Sequence, residues 1–144
     1  PVRVGDWLGD IKKLFPSSKI HYIYKVEDEN RVLMIDRSQM EQVLINLLKN
    51  AGEACMEQSH PEVMIETVYS AEKHIFQLSV KDNGSGILPE VQDKIFIPFF
   101  TTKTTGSGIG LSLCKQIMTL HGGSLQVSSE LGKGSCFTLK LLAK

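Results

Sequence analysis

Residues 38–56, SQMEQVLINLLKNAGEACM, carry the pattern from which the rest of the chain is read. Met40, Val43, Leu44, Leu47, Leu48 and Ala51 recur at three- and four-residue steps, the period of a helix with one buried stripe. Ser38 followed three residues later by Glu41 has the form of a capping box, so the spacing predicts a helix over 39–56. At about 100° per residue, Asn46, Asn50 and Glu53 fall close together beside the buried stripe. An amide in that position can offer its carbonyl oxygen to a hard cation such as Mg²⁺, which takes few protein ligands beside phosphate oxygens. A boundary amide satisfied by backbone would give the same pattern.

Downstream, residues 63–69 and 74–81 alternate as strands, with Phe76, Leu78 and Val80 on one face. Asp82 continues that apolar phase. A carboxylate facing a core is costly unless something donates hydrogen bonds to it, and the amino group of adenine is one suitable donor. The next residues, Asn83-Gly84-Ser85-Gly86-Ile87, place two glycines where a flat base can approach the backbone. A plain β-turn anchored by Asp82 and Asn83 is the competing reading.

Upstream, residues 21–26 and 31–35 are β-rich on either side of Glu27-Asp28-Glu29-Asn30, which predicts a hairpin. Trp7, Leu8, Ile11 and Leu14 form a short amphipathic segment ending at Pro16, and residues 1–18 are expected to be the tail of an upstream linker or of a dimerisation helix region. Toward the C-terminus, a short helix opened by Pro89 is expected over 88–95, a loop over 96–105, and a second long helix over 111–121 that stops at Gly122-Gly123. Strands over 124–129 and 135–142 flank Gly132-Lys133-Gly134 as a closing hairpin. Helices with mostly antiparallel strands predict an α+β, two-layer sandwich.

Gly106-Ser107-Gly108-Ile109-Gly110 directly precedes the second helix, where free amides and the helix dipole suit phosphate oxygens. Lys103 adds a cation just before that turn. Phe96, Phe99 and Phe100 read as support for the loop, and Ser135, in phase with Phe137 and Leu139, turns its hydroxyl inward, either beside Asp82 and a base or as an ordinary turn serine.

Composition narrows the partners. The 16 Lys+Arg balance 16 Asp+Glu, without the basic excess that a nucleic-acid backbone demands. Cys55, Cys114 and Cys136 form neither a CxxC pair nor a disulfide framework, and His21, His60, His74 and His121 lack metal-ligand spacing, so a reducing, cytoplasmic setting is expected. No run is long and apolar enough for a membrane span, and no direct membrane contact is expected of this segment.

Four segments taken in order, QVLINLLKNAGEA (42–54), DNGSGI (82–87), IFIPFFTTK (95–103) and GSGIGL (106–111), resemble the N, G1, F and G2 boxes of sensor histidine kinases, closest to those of the nitrogen-sensor kind. The resemblance implies a Bergerat fold of about five strands backed by three helices, with residues 19–144 as the ATP-binding catalytic domain. It implies Asn50 as the Mg²⁺ ligand, Asn46 near the γ-phosphate, Asp82 as reader of adenine, and Gly84 and Gly86 against the base. It further implies a phosphate-binding lid of Lys103, Gly106, Gly108 and Gly110, catalytic roles for Asn46, Asn50 and Lys103, and ATP with Mg²⁺ as ligands. Glu53, Ile87, Phe96 and Thr102 join the expected nucleotide contacts, as do Ser107, Ile109, Leu111 and Ser135.

Related ATPases carry a glutamate where this chain has Asn46, which favours phosphoryl transfer over hydrolysis. Ile97 departs from the glutamate common in the F box, and Ser107 replaces a common threonine. No histidine stands in the context of a phosphoacceptor, so the acceptor is expected on a separate domain of the same protein, with a response-regulator receiver domain as the next partner. Serine kinases of the anti-sigma-factor or mitochondrial dehydrogenase-kinase kind, and a nucleotide-gated docking module, are the alternatives.

Overall fold

The protein is described by a computed structural model over residues 1–98 and 110–143. In chain order the elements are β1 (Val2–Arg3), α1 (Val4–Leu14), β2 (His21–Val26), β3 (Val32–Leu33), α2 (Arg37–Cys55), β4 (Glu62–Ser70), β5 (Ile75–Asp82), α3 (Pro89–Gln92), α4 (Gly110–Leu120), β6 (Ser124–Glu130) and β7 (Gly134–Leu142). Five strands form one sheet in the order β2-β4-β5-β7-β6. Only β2 and β4 run parallel; every other neighbour pair in this sheet is antiparallel. One face presents Val63, Ile65, Phe76, Leu78, Val80, Leu125, Leu139 and Leu141, all buried, to the helices. The α+β two-layer sandwich is therefore as the periodicity predicts.

α2 buries the expected stripe of Met40, Val43, Leu44, Leu47, Leu48 and Ala51. Its start differs from the expectation. Asp36, not Ser38, is the N-cap, and its Oδ1 accepts the Gln39 amide at 3.1 Å, while Glu41 pairs with Arg37 at 3.1 Å. A carboxylate two residues earlier in the chain caps as well as a serine, and both Asp36 and Ser38 precede the same apolar run.

The hairpin predicted between residues 21–26 and 31–35 does not form. β2 joins β4 instead, and β3 pairs with β1 in a separate two-stranded ribbon. The turn between them has another task. The side chain of the α1 N-cap, Arg3, caps no helix amide, and the carbonyls of Arg31 and Glu29 accept the Val4 and Gly5 amides, both at 2.8 Å. The orphan donors that every helix N-terminus leaves are thus satisfied by a distant loop.

Residues 1–18, expected as linker, contain β1 and α1. Val4, Trp7, Leu8 and Ile11 are buried in the same hydrophobic cluster as the sheet, and the Trp7 ring lies 6.5 Å from that of Phe76. Arg37 ties α1 to α2 by pairing with Asp10. The helix expected over 88–95 shrinks to the single turn of α3, followed by the buried Ile95. α4 ends as predicted at Gly122, whose φ of 71° suits a residue without Cβ, with the Gly123 amide bonded to the Met118 carbonyl at 2.8 Å.

Replacing Trp7 with alanine should lower stability by about 3–5 kcal/mol, the range for a fully buried large aromatic. Urea unfolding measures this, and a loss well under 1 kcal/mol would mean that α1 does not belong to the core.

Candidate nucleotide site

The carboxyl of Asp82 sits at the last residue of β5, 3% exposed. Its Oδ1 accepts the Gly84 amide at 2.8 Å. Burial pushes this carboxyl above the usual carboxylate range, and the backbone amides of Gly84 and Ser135 pull it back. Three glycines make the seat. A Cβ on Gly84 would fall far inside contact distance of the Ala54 carbonyl on α2 and of Asp82 itself, and one on Gly134 would collide with the Asp82 carbonyl. Gly86, at φ 83°, is pressed in the same way against Glu130. Backbone therefore approaches backbone at each of these three glycines, which no side chain would allow.

Asn83 holds the turn from outside the seat. Its Oδ1 accepts the Glu62 amide at 2.9 Å and its Nδ2 donates to the His60 carbonyl at 2.8 Å. Both residues anchor the turn, Asp82 through the Gly84 amide and Asn83 through Glu62 and His60, and the Asp82 carboxyl is in addition buried.

Ser135 lies opposite Asp82 in the ladder and is buried, as its phase predicts. Its Oγ is 2.8 Å from Ser129 Oγ. Ser129 was not expected. It accepts the Ile87 amide at 2.7 Å and donates to the Gly134 carbonyl at 3.0 Å, so one hydroxyl fixes the loop after Asp82 to the β6–β7 hairpin. The signal was present, because Ser129 continues the phase of Leu125 and Val127, as Ser135 continues that of Phe137.

α2 lines the next part of the site. Asn46 and Asn50 are both half-buried and one turn apart; Glu53 is exposed, and Ala54, one turn beyond Asn50, is the residue against which Gly84 packs. Asn46 Nδ2 is buried and has no hydrogen-bond partner among the described residues. The first residue of α4 abuts it: a Cβ on Gly110 would lie 3.6 Å from Asn46 Cγ and Oδ1. Beside Asn46, the buried Cys114 thiol donates to the Val43 carbonyl at 3.7 Å, and burial pushes that thiol up to about 11 against the pull of the Asn46 amide. Leu111 and Ile87 are partly buried and pack against the hydrophobic core.

Phe96 stacks edge-on against Phe137 at 6.3 Å, and Lys115 of α4 lies 4.7 Å over its ring. Phe96 thus packs between β7 and α4, and the loop it was expected to support lies outside the described residues. Phe99, Phe100, Thr102, Lys103, Gly106, Ser107, Gly108 and Ile109 lie outside the described residues. The structure thus gathers Asp82, Gly84, Gly86 and Ser135 about the end of β5, beside the last turn of α2 at Ala54, while Gly110 at the start of α4 faces Asn46 at the middle of α2.

Residues 35–144 match the family described as histidine kinase-, DNA gyrase B-, and HSP90-like ATPase. The chain belongs to this ATPase family. Among curated relatives, the signal transduction histidine-protein kinase AtoS of Escherichia coli strain K12 is 38% identical over 125 residues, 86% of this chain and 20% of its own length. The sensor protein FixL of Bradyrhizobium diazoefficiens is 39% identical over 112 residues, covering 78% of this chain and 22% of its own. The chain thus spans about a fifth of the length of these sensor kinases. Among solved structures, the nucleotide-free catalytic domain of histidine kinase ThkA matches with a TM-score of 0.86 at 31% identity, covering 98% of this chain and 93% of that one. ThkA in complex with response regulator TrrA matches with a TM-score of 0.79 at 28% identity over 99% of this chain and 41% of that one. The fold is that of a histidine kinase catalytic domain, and the family's ligand is ATP.

A raised carboxyl favours its neutral form in the fold. Its contribution to stability is therefore full below the ordinary carboxylate pKa and declines as pH rises through the window up to the folded value. Asp82→Asn keeps an acceptor oxygen for Gly84 and removes the charge. Without nucleotide its urea midpoint at pH 7 should equal or exceed that of the wild type, and the difference should vanish at acid pH; a large drop at pH 7 would show that the charge supports the fold.

Proposed function

We propose that this chain is the ATP-binding catalytic domain of a two-component sensor histidine kinase, located in the cytoplasm, and that it delivers the γ-phosphoryl group of ATP to a histidine on a separate domain of the same protein. The observation that carries the reading is the pairing of a buried acceptor, Asp82, with a face of α2 that carries the amides Asn46 and Asn50, Asn46 standing where related ATPases have a glutamate base. Asp82 accepts from the exocyclic amino group of adenine, and Gly84 and Gly86 let the base lie against backbone. Asn46, whose buried N–H lacks a partner among the described residues, has a donor to offer to phosphate oxygen. It cannot abstract a proton from water as a glutamate there would, so the arrangement suits transfer to an incoming nucleophile.

The oxygen-donor set of α2 fits Mg²⁺, with Asn50 as its protein ligand; when bound, the ion shields the charge of the phosphates. Gly110 and Leu111 open α4, and the amides of a helix N-terminus suit phosphate oxygen. Lys103, with Gly106 and Gly108, completes the anion contacts in the proposal. The acceptor imidazole attacks the γ-phosphorus in line, the bond to the β-bridging oxygen breaks, and ADP leaves. A response-regulator aspartate then takes the phosphoryl group; a structure of the related ThkA with its regulator TrrA supports such a partner.

Calorimetric titration with ADP, with and without Mg²⁺, tests the site. Asp82→Asn should weaken ADP by about 10- to 150-fold, the equivalent of one hydrogen bond to a charged acceptor. Asn50→Ala should weaken binding chiefly when Mg²⁺ is present. Unchanged affinity in the first variant, or equal loss under chelation in the second, would contradict the respective role. Acid-stable phosphate on the acceptor would show a hydroxyl acceptor and favour the serine-kinase reading.

A further inference from the structure

The two ends of α4 do different things. Its first residue, Gly110, abuts Asn46, while its last turn is held by a histidine that the nucleotide reading leaves unused. His121 follows Leu120 directly. Its Nδ1 lies 2.9 Å from the Ile117 carbonyl and its Nε2 lies 3.0 Å from the Asp36 amide. A carbonyl on one side and an N–H on the other settle the tautomer: Nδ1 carries the proton and donates, and Nε2 accepts.

Asp36 is the N-cap of α2, and its side chain takes the Gln39 amide. In a capping box the residue three positions after the cap returns its side chain to the cap's own amide. Gln39 stands at that position, yet the Asp36 amide goes to His121. The imidazole thus completes the cap of the helix that carries Asn46 and Asn50, and it does so from the helix whose opposite end faces Asn46. Between the two ends, the buried Cys114–Val43 contact is a second tie along the same seam.

We infer that His121 is a positioning residue for the nucleotide site: by closing the α2 cap from α4 it fixes α4 along α2 and so sets Gly110 against Asn46. The inference rests on the nucleotide reading above. A glutamine at 121 offers an amide oxygen near the place of Nε2, whereas an alanine offers nothing.

The test uses the whole chain as wild type, His121→Gln and His121→Ala. It measures imidazole ¹⁵N spectra, ADP titration with Mg²⁺, and amide hydrogen exchange. The wild-type ring should show the neutral Nδ1–H form. His121→Ala should weaken ADP by about five- to tenfold, in line with one lost hydrogen bond, and should speed exchange at Leu113 and Cys114, two turns from the substitution. His121→Gln should recover most of both. An Nε2–H ring, wild-type affinity and exchange in His121→Ala, or a glutamine variant no better than the alanine one would overturn the inference. Failure of the wild type itself to bind ADP would count against the nucleotide reading, and the ring tautomer and exchange comparison would still decide the role of His121.

Discussion

A carboxylate can be kept inside a protein only where hydrogen-bond donors meet it, and the neighbourhood of Asp82 is arranged around that requirement. The Gly84 amide supplies one donor from two residues along the chain. To bring it there, the backbone after β5 must press against α2 at Ala54, and the β6–β7 turn must press against Asp82, which is why Gly84 and Gly134 have no room for a Cβ. Ser129 then joins the Ile87 amide, the Gly134 carbonyl and Ser135, so the loop and the hairpin are fixed to one another. Burial nevertheless leaves the Asp82 carboxyl above its usual range. Among the described residues, the Gly84 and Ser135 amides offset only part of the effect of burial on this carboxyl.

The helical layer supplies the other half of the site. α2 is long because its apolar stripe covers the sheet over its whole length, and the same stripe turns Asn46 and Asn50 to its border. α4 lies alongside and presents a glycine, the smallest contact available, to Asn46. α1 completes the layer through Trp7 and is bound to the start of α2 by the Arg37–Asp10 pair. That pair is partly exposed and contributes orientation more than stability.

Much of this was legible in the sequence because period and phase are local properties. The stripe of α2, the inward phase of Asp82 and Ser135, and the glycine stop of α4 all follow from spacing alone. Partners were less legible. The turn at residues 27–30 looks like a hairpin locally, but its carbonyls cap α1, and nothing within that segment announces a distant helix in need of acceptors. The cap at Asp36 was misplaced because two capping residues precede one apolar run, and its amide finds its partner, His121, 85 residues away in sequence. Trp7 was read as part of a linker because a short amphipathic segment does not say which surface it covers.

The most direct measurement is the affinity of the chain for ADP against that for inosine diphosphate, which differs at the base by a carbonyl in place of the amino group. If Asp82 reads that amino group, the inosine nucleotide should bind at least about tenfold more weakly, since a site built to accept a hydrogen bond rejects a ligand that cannot donate it. Equal affinities would contradict the assignment of Asp82 to the base.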